Sequence, residues 1–307
     1  MERWKTQWTP LLPKSVSEVL ERLDDDAPLL EIRLRRDRPL ELVFDGSDRI
    51  VYGNNKAPIV TEEELRALCA RLMEYSAYAW ENERKSGFIT VNGCRVGLSG
   101  RMIRKEEGVT GFSSVSGVCV RIVREVKDCA KRLIPHLVRD GRFCSVLLVS
   151  APGCGKTTLL RDLIRIASDG LHGAPACRVG VADERFELSG DANGAVAFDL
   201  GSRTDVISGI SKADAAVRIV STLSPGILAM DELNEADDAQ AVSDARGKGV
   251  AVFATAHGSG LDDLRLRPSM RTLLEAGVFD RFVLLSGVGC VRSILNGNGE
   301  RIAFETE

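Results

Sequence analysis

The chain has 307 residues, 44% of them hydrophobic and 28% charged, with a formal net charge of -3, a balance that suits a water-soluble protein of two domains. Neither half carries the basic excess that non-specific nucleic-acid binding needs, and aromatic residues, at 5%, are too few for stacking along a single strand. No stretch approaches the ~20 apolar residues of a membrane span, and residues 1–13, with Glu2, Arg3 and Lys5, lack the apolar length of a signal peptide, so a cytoplasmic protein is expected.

The first third reads as a small α+β domain. Residues 29–35 alternate apolar and charged side chains, the period of a half-buried strand. Residues 39–44 and 49–52 continue that pattern around a turn at Asp45, Gly46 and Ser47. Thr61 and Glu64 form a capping box, opening a helix that runs to about Trp80 with Leu65, Leu68, Leu72 and Met73 on one face. A hairpin follows, 88–91 and 94–98, around Asn92-Gly93, a pair suited to the positive φ angles of a type I′ turn. Residues 101–117, polar and rich in Gly and Ser, predict a long loop, and 118–123 a further strand. A helix over about 127–138 would lead out, so the boundary is placed at 126, with domains 1–126 and 127–307.

Beyond residue 143 the pattern changes. Short apolar runs at 145–150, 178–182, 226–231, 249–256 and 281–285 alternate with helical segments at 157–168, 212–223, 235–247 and 268–276. That alternation predicts a mostly parallel sheet covered on both faces. A closing hairpin, 291–295 and 301–304, surrounds an Asn-Gly-Asn-Gly turn.

Residues 150–158 read SAPGCGKTT, at the junction of a predicted strand and a predicted helix. That context marks a phosphate-binding loop of the Walker A type. Gly153 and Gly155 let the backbone wrap a phosphate, and the amides through Cys154 and the helix N-terminus offer positive potential. Lys156 would reach the β- and γ-phosphates of ATP, Thr157 would ligate Mg²⁺, and Thr158 completes the loop. Ser150 stands where a leading glycine is usual. Residues 227–232, ILAMDE, form an apolar strand ending in two acids, the Walker B arrangement. Asp231 would hold Mg²⁺, and Glu232 would polarise the attacking water. A strand ending in two acids is by itself often only a solvated strand end; after a Walker A loop it acquires a partner.

Ligands of doubly wound sheets bind at the carboxyl ends of the strands, where two further predicted strands deliver Glu184 and His257. Glu184 is a second candidate for orienting water, and His257 is placed to sense the γ-phosphate or link hydrolysis to motion. The eight cysteines, at 69, 94, 119, 129, 144, 154, 177 and 290, show no C-x-x-C spacing, so reduced thiols are expected.

Taken together, these segments resemble the secretion-type ATPase superfamily, the motors of type II and type IV secretion and of pilus retraction. The nearer resemblance is to the stage III sporulation protein AA family. It is carried by GKTTLLRD (155–162), Asp183-Glu184-Arg185, RTDV (203–206), Met230-Asp231-Glu232 and ATAHG (254–258). The N-terminal EIRLR (31–35) with Arg38-Pro39, and RVGL (95–98) with Gly100-Arg101, extend it over nearly the whole chain. Ser150-Ala151 departs from an expected Gly-Pro, and Phe186 from a small polar residue.

The resemblance implies a RecA-like P-loop core with a smaller N-terminal domain, assembled as a homo-oligomeric ring that would be a hexamer. It further implies an ATP- and Mg²⁺-dependent motor docked peripherally on membrane proteins of a sporulation channel between mother cell and forespore, on the mother-cell side. In such rings an arginine of one subunit faces the γ-phosphate held by the next. Arg121 and Arg124 are the first candidates, Arg203 and Arg218 the next. Arg33, Arg35, Arg36 and Arg38 read instead as an exposed strand face or subunit contact.

Two other classes fit the same core. A RecA-like nucleic-acid translocase is disfavoured by the charge and aromatic content, and no nucleic-acid partner is expected. A nucleotide-binding scaffold that scarcely hydrolyses ATP would tolerate loss of Glu232, whereas a motor would stall.

Overall fold

A computed structural model of the chain describes residues 3–23, 29–44, 47–51, 57–75, 87–91, 94–105, 108–122, 125–190 and 196–304. The chain divides into two compact units, 1–124 with 190–197, and 125–189 with 198–307.

The first unit is built on an antiparallel sheet. Its strands are β1 (Leu29–Arg35), β3 (Glu41–Phe44), β4 (Ser47–Ile50), β6 (Phe88–Val91), β7 (Cys94–Lys105) and β8 (Gly108–Arg121), ordered β4-β3-β1-β8-β7-β6. Two short strands, β2 (Arg38–Pro39) and β5 (Ile59–Val60), pair separately. Period-2 alternation turns Ile32 and Leu34 of β1 inward, where they join Leu42, Val96, Val118 and Val120. Helices α1 (Arg3–Trp8), α2 (Lys14–Glu21) and α3 (Glu62–Tyr75) contribute Trp8, Val16, Leu20, Leu65, Leu68 and Leu72 to the same core. The capping box of α3 forms, with Thr61 N–H on Glu64 Oε2 at 2.9 Å and Glu64 N–H on Thr61 Oγ1 at 3.2 Å.

Several expectations change here. The long loop over 101–117 is instead the arm of a hairpin, β7 on β8, paired out to Lys105 and Gly108. Arg101 to Arg104 are all exposed, so this arm carries no apolar alternation to betray it. Met73, expected on the buried face of α3, is 40% exposed. Helices α1 and α2 precede the first predicted element. The Asn92-Gly93 turn, Asp45 and Gly46, and the helix end at Trp80 lie outside the described residues.

The second unit holds an eight-stranded sheet, ordered β13-β12-β14-β15-β11-β16-β17-β18. These are β11 (Val146–Ser150), β12 (Val179–Asp183), β13 (Thr204–Ser208), β14 (Ile227–Met230), β15 (Ala251–His257), β16 (Arg281–Gly287), β17 (Cys290–Asn296) and β18 (Arg301–Ile302). From β13 to β16 every pairing is parallel, and β17 and β18 close it antiparallel. β11 shows why both faces are covered. Val146 and Leu148 pack under α5 (Lys156–Asp169) with Leu159, Leu160 and Leu163, whereas Leu147 and Val149 face the opposite apolar layer with α6 (Lys212–Thr222) and α7 (Ala236–Gly247). Two further helices, α8 (Leu261–Arg265) and α9 (Pro268–Glu275), complete that layer.

The helix expected over 127–138 is a 3₁₀ turn, Lys131–Leu133, and a single α-turn, α4 (Ile134–Leu137), followed by the hairpin β9 (Val138–Arg139) and β10 (Arg142–Phe143). Asp140 and Gly141 make its turn with φ of 51° and 72°, the Asp-Gly pairing that favours a two-residue hairpin over continued helix. β13 escaped the sequence reading because it is a half-buried edge strand without an apolar run.

Candidate nucleotide site

Parallel registry brings the ends of β11, β12, β14 and β15 to one edge of the sheet, with Ser150 beside His257 and Ala182 beside Met230. β11 is buried throughout and runs into the loop 151–155, from which α5 starts at Lys156. Gly153 and Gly155 take φ of 79° and 84°, conformations that a side chain would strain. A Cβ on Gly155 would also lie 3.3 Å from the Gly289 amide nitrogen. Gly155 is the N-cap of α5 and no side chain caps it, which leaves the first-turn amides facing the loop. Cys154 is a free thiol, and its carbonyl accepts from Gly289 N–H at 3.3 Å.

The Lys156 ammonium donates to the carbonyls of Ser150 and Ala151, both at 3.0 Å, and to Ser150 Oγ at 3.2 Å. Ser150 is therefore part of the loop's internal bonding. Burial pushes the Lys156 pKa down, while Asp231 opposes the shift. His257 Nδ1 lies 3.0 Å from the same ammonium. An ammonium only donates, so Nδ1 must accept and the imidazole proton sits on Nε2. That proton faces Glu232 Oε1, 3.4 Å away.

Thr157 and Asp231, far apart in sequence, meet: Thr157 Oγ1 donates to Asp231 Oδ2 at 2.7 Å. The other oxygen of Asp231 accepts from the Thr255 hydroxyl, which itself accepts the Glu232 N–H at 2.8 Å. Glu232 has φ of 55°, a left-handed conformation uncommon for a side-chain-bearing residue. Its carboxylate accepts from Arg185 at 3.0 Å, and its carbonyl from the Lys212 ammonium at 2.6 Å. Glu184 is exposed and lines the same cleft as Asp231, Glu232, Arg185 and Lys212. Asp183 is turned away from it. Its buried carboxylate accepts three bonds, from Leu188 N–H, Ser189 N–H and Ser189 Oγ, and burial raises its pKa. Thr158, one residue further along α5, faces a second cleft with Lys127, Arg161 and Asp199.

Three of the four proposed inter-subunit arginines lie among the described residues, each with a partner of its own. Arg121 lies in the first unit, 3.5 Å from Glu31, with its side chain 63% exposed. Arg124 lies outside the described residues. Arg203 precedes β13, at the amino end of the sheet, and donates to the Ser168 carbonyl at 3.0 Å. Arg218 is exposed on α6 and pairs with Asp214 at 3.4 Å. Arg33, Arg35 and Arg36 face Glu31, Glu41 and Glu62.

Sequence reasoning did not assign Thr255, Arg185 or Lys212 to the site. For Lys212 a signal exists: a cation in the first position of a helix opposes the helix dipole and needs another reason to be there.

Residues 2–302 match the family model described as "Sporulation stage III, protein AA". The Stage III sporulation protein AA of Bacillus subtilis (strain 168) is 34% identical over 302 residues, 96% of each chain. Among solved structures, the ATPase DotB of Legionella pneumophila aligns with a TM-score of 0.57 at 14% identity, over 95% of this chain and 79% of that one. The pilus retraction motor PilT, solved with bound ADP, aligns at 0.53 and 15% identity, over 95% and 82%. At these identities the likeness is one of fold, and the fold is RecA-like.

Proposed function

The chain belongs to the stage III sporulation protein AA family, and from that premise we propose that it is a Mg²⁺-dependent ATPase, a ring-forming motor for a membrane channel complex of sporulation. The contact between Thr157 and Asp231 carries the reading. A hydroxyl at the start of the P-loop helix and a carboxylate at the end of another strand converge at 2.7 Å, oxygen donors of the kind Mg²⁺ takes. The glycine cradle and the uncapped start of α5 suit a triphosphate equally well. DotB, named an ATPase, and PilT, named a motor, supply the analogy of fold.

In this reading the loop amides and Lys156 would hold the β- and γ-phosphates, and Thr157 with Asp231 would hold Mg²⁺, whose charge would offset that of the phosphates. Glu232 orients the attacking water and accepts its proton, with Glu184 as a second acid at the cleft mouth. His257, between Lys156 and Glu232, reports the state of the phosphate site. Its Nδ1 partner is the same ammonium that phosphate would engage, so nucleotide loading loosens the His257 contact and with it the hold on Glu232. Arg121 and Arg124 are the candidates for reaching a neighbouring subunit's γ-phosphate. Among the described residues no helix is long and apolar enough to cross a membrane, which suits peripheral docking on membrane partners.

The test is ATP hydrolysis per subunit over a wide protein concentration range, with Lys156→Ala as blank. Mg²⁺-dependent turnover whose specific activity rises with concentration is the expected result. Turnover no greater than the blank would sink the ATPase reading in favour of a nucleotide-binding scaffold.

A further inference from the structure

Glu232 holds a backbone conformation that non-glycine residues adopt only where the surroundings over-determine it. Two contacts do so here. The Thr255 hydroxyl accepts the Glu232 N–H at 2.8 Å, and the Lys212 ammonium donates to the Glu232 carbonyl at 2.6 Å. With the peptide group on each side fixed, the direction of the Cα–Cβ bond is fixed too, and the carboxylate falls beside Arg185 and His257.

Lys212 is itself firmly placed. Its side chain is 9% exposed, and its ammonium lies 3.2 Å from Asp238 Oδ2, a carboxylate 5% exposed, and 3.4 Å from Asn234 Oδ1. The same Asp238 oxygen accepts the N–H groups of Asn234 and Glu235, both at 3.2 Å, as α7 opens. One ammonium thus joins the first turn of α6, the turn after β14 and the start of α7. Local stability does not explain it, because a cation at a helix N-terminus is unfavourable and burying an ion pair brings little net gain. The Glu232 carbonyl does explain it.

We infer that Lys212 is a positioning residue of this site, whose buried ammonium sets the direction of the Glu232 carboxylate through the Glu232 carbonyl. The inference rests on the ATPase reading and deepens it: the water-activating geometry is set through the backbone of the turn that carries Glu232. Lys212→Met alone would strand the Asp238 charge, so the informative variant is Lys212→Met with Asp238→Asn. It keeps side-chain volume and an oxygen for the Asn234 and Glu235 amides, and it leaves no unpaired buried charge.

Three readouts separate positioning from mere support. A fluorescent ATP analogue with Mg²⁺ should bind within about twofold of wild type, while turnover falls about 100-fold, the scale of a misplaced reacting group. Adding Glu232→Gln to the double variant should cost little more, since both changes remove one function. Native-state hydrogen exchange at the Glu232 and Leu233 amides should quicken at least about tenfold. Turnover within about twofold of wild type, full additivity with Glu232→Gln, or unchanged exchange at those amides would each overturn the assignment. A wild type no faster than Lys156→Ala would instead overturn the ATPase reading, and exchange alone would then decide the clamp.

Discussion

Glu232 is held between two nitrogen donors, Arg185 at 3.0 Å and His257 at 3.4 Å, next in sequence to the Asp231 carboxylate that meets Thr157. A glutamine there keeps the size and an oxygen for Arg185 but takes no proton from water. Glu232→Gln is therefore expected to lower turnover by about 10²- to 10⁴-fold with nucleotide affinity little changed. Single-turnover hydrolysis and equilibrium binding of the same preparation check the split. A variant that keeps wild-type turnover would transfer the role to Glu184, which shares the cleft. That Lys156, Thr157, Asp231 and Glu232 come together was legible in the sequence, because strand–loop–helix context puts them at the carboxyl ends of strands in one sheet. Thr255 was not. Its hydroxyl bridges Asp231 and the Glu232 amide only because β14 and β15 are neighbours in parallel register, a relation between strands that neither strand spells out. Arg185 and Lys212 escaped for the same reason, their partners lying on other elements.

At the scale of the element, α5 is fastened along its length by carboxylates. Asp162, buried on α5, accepts the N–H groups of Asp128 and Ala130 at 3.0 and 2.9 Å, and Arg165 bridges Asp162 and Asp128 at 2.7 Å. Asp169, at the end of the helix, holds the N–H and hydroxyl of Ser202, and Asp199 pairs with Lys127 at 2.5 Å. Hydrogen bonds from His172 and Arg165 lower the pKa of Asp128, those from Ser202 that of Asp169, and that from Lys127 that of Asp199, all from an ordinary 3.8. A folded pKa below the unfolded one means stability fully present above 3.8 and lost as the pH falls through the folded value. The thermal midpoint of the protein should thus stay level down to about pH 5 and fall below it. Asp128→Asn, Asp169→Asn and Asp199→Asn combined should flatten that fall, and an equally steep acid limb in the triple variant would locate acid sensitivity elsewhere. The β/α alternation was legible here because buried parallel strands are apolar runs. The β7–β8 arm and the edge strand β13 were not, since exposed or half-buried strands rest on backbone pairing and leave no period in the side chains.

At the scale of the whole molecule, the glycine loop, the Thr157–Asp231 pair and Glu232 all belong to one chain, as do the nitrogen donors beside Glu232, Arg185 and His257. Arg203 is held at the far end of its strand and Arg218 is paired on α6, so neither meets the P-loop of its own chain. If the proposed ring exists and Arg121 completes a neighbour's site, the two halves of an active site lie on different subunits, and loss of either half is separable from loss of the other. Lys156→Ala subunits would still lend an arginine, and Arg121→Ala subunits would still hold ATP. Each variant alone should be nearly inactive. Mixed in equal amounts and allowed to exchange, about a quarter of the heterologous interfaces would pair an intact loop with an intact arginine, and turnover should return in proportion. The same mixing with Arg124→Ala tests the second candidate. Activity that appears only on mixing requires sites shared between chains, because no subunit in the mixture contains a whole site. Arg121→Ala that is as active alone as wild type removes that residue from the site, and a mixture no more active than its parts places the loss inside a single chain.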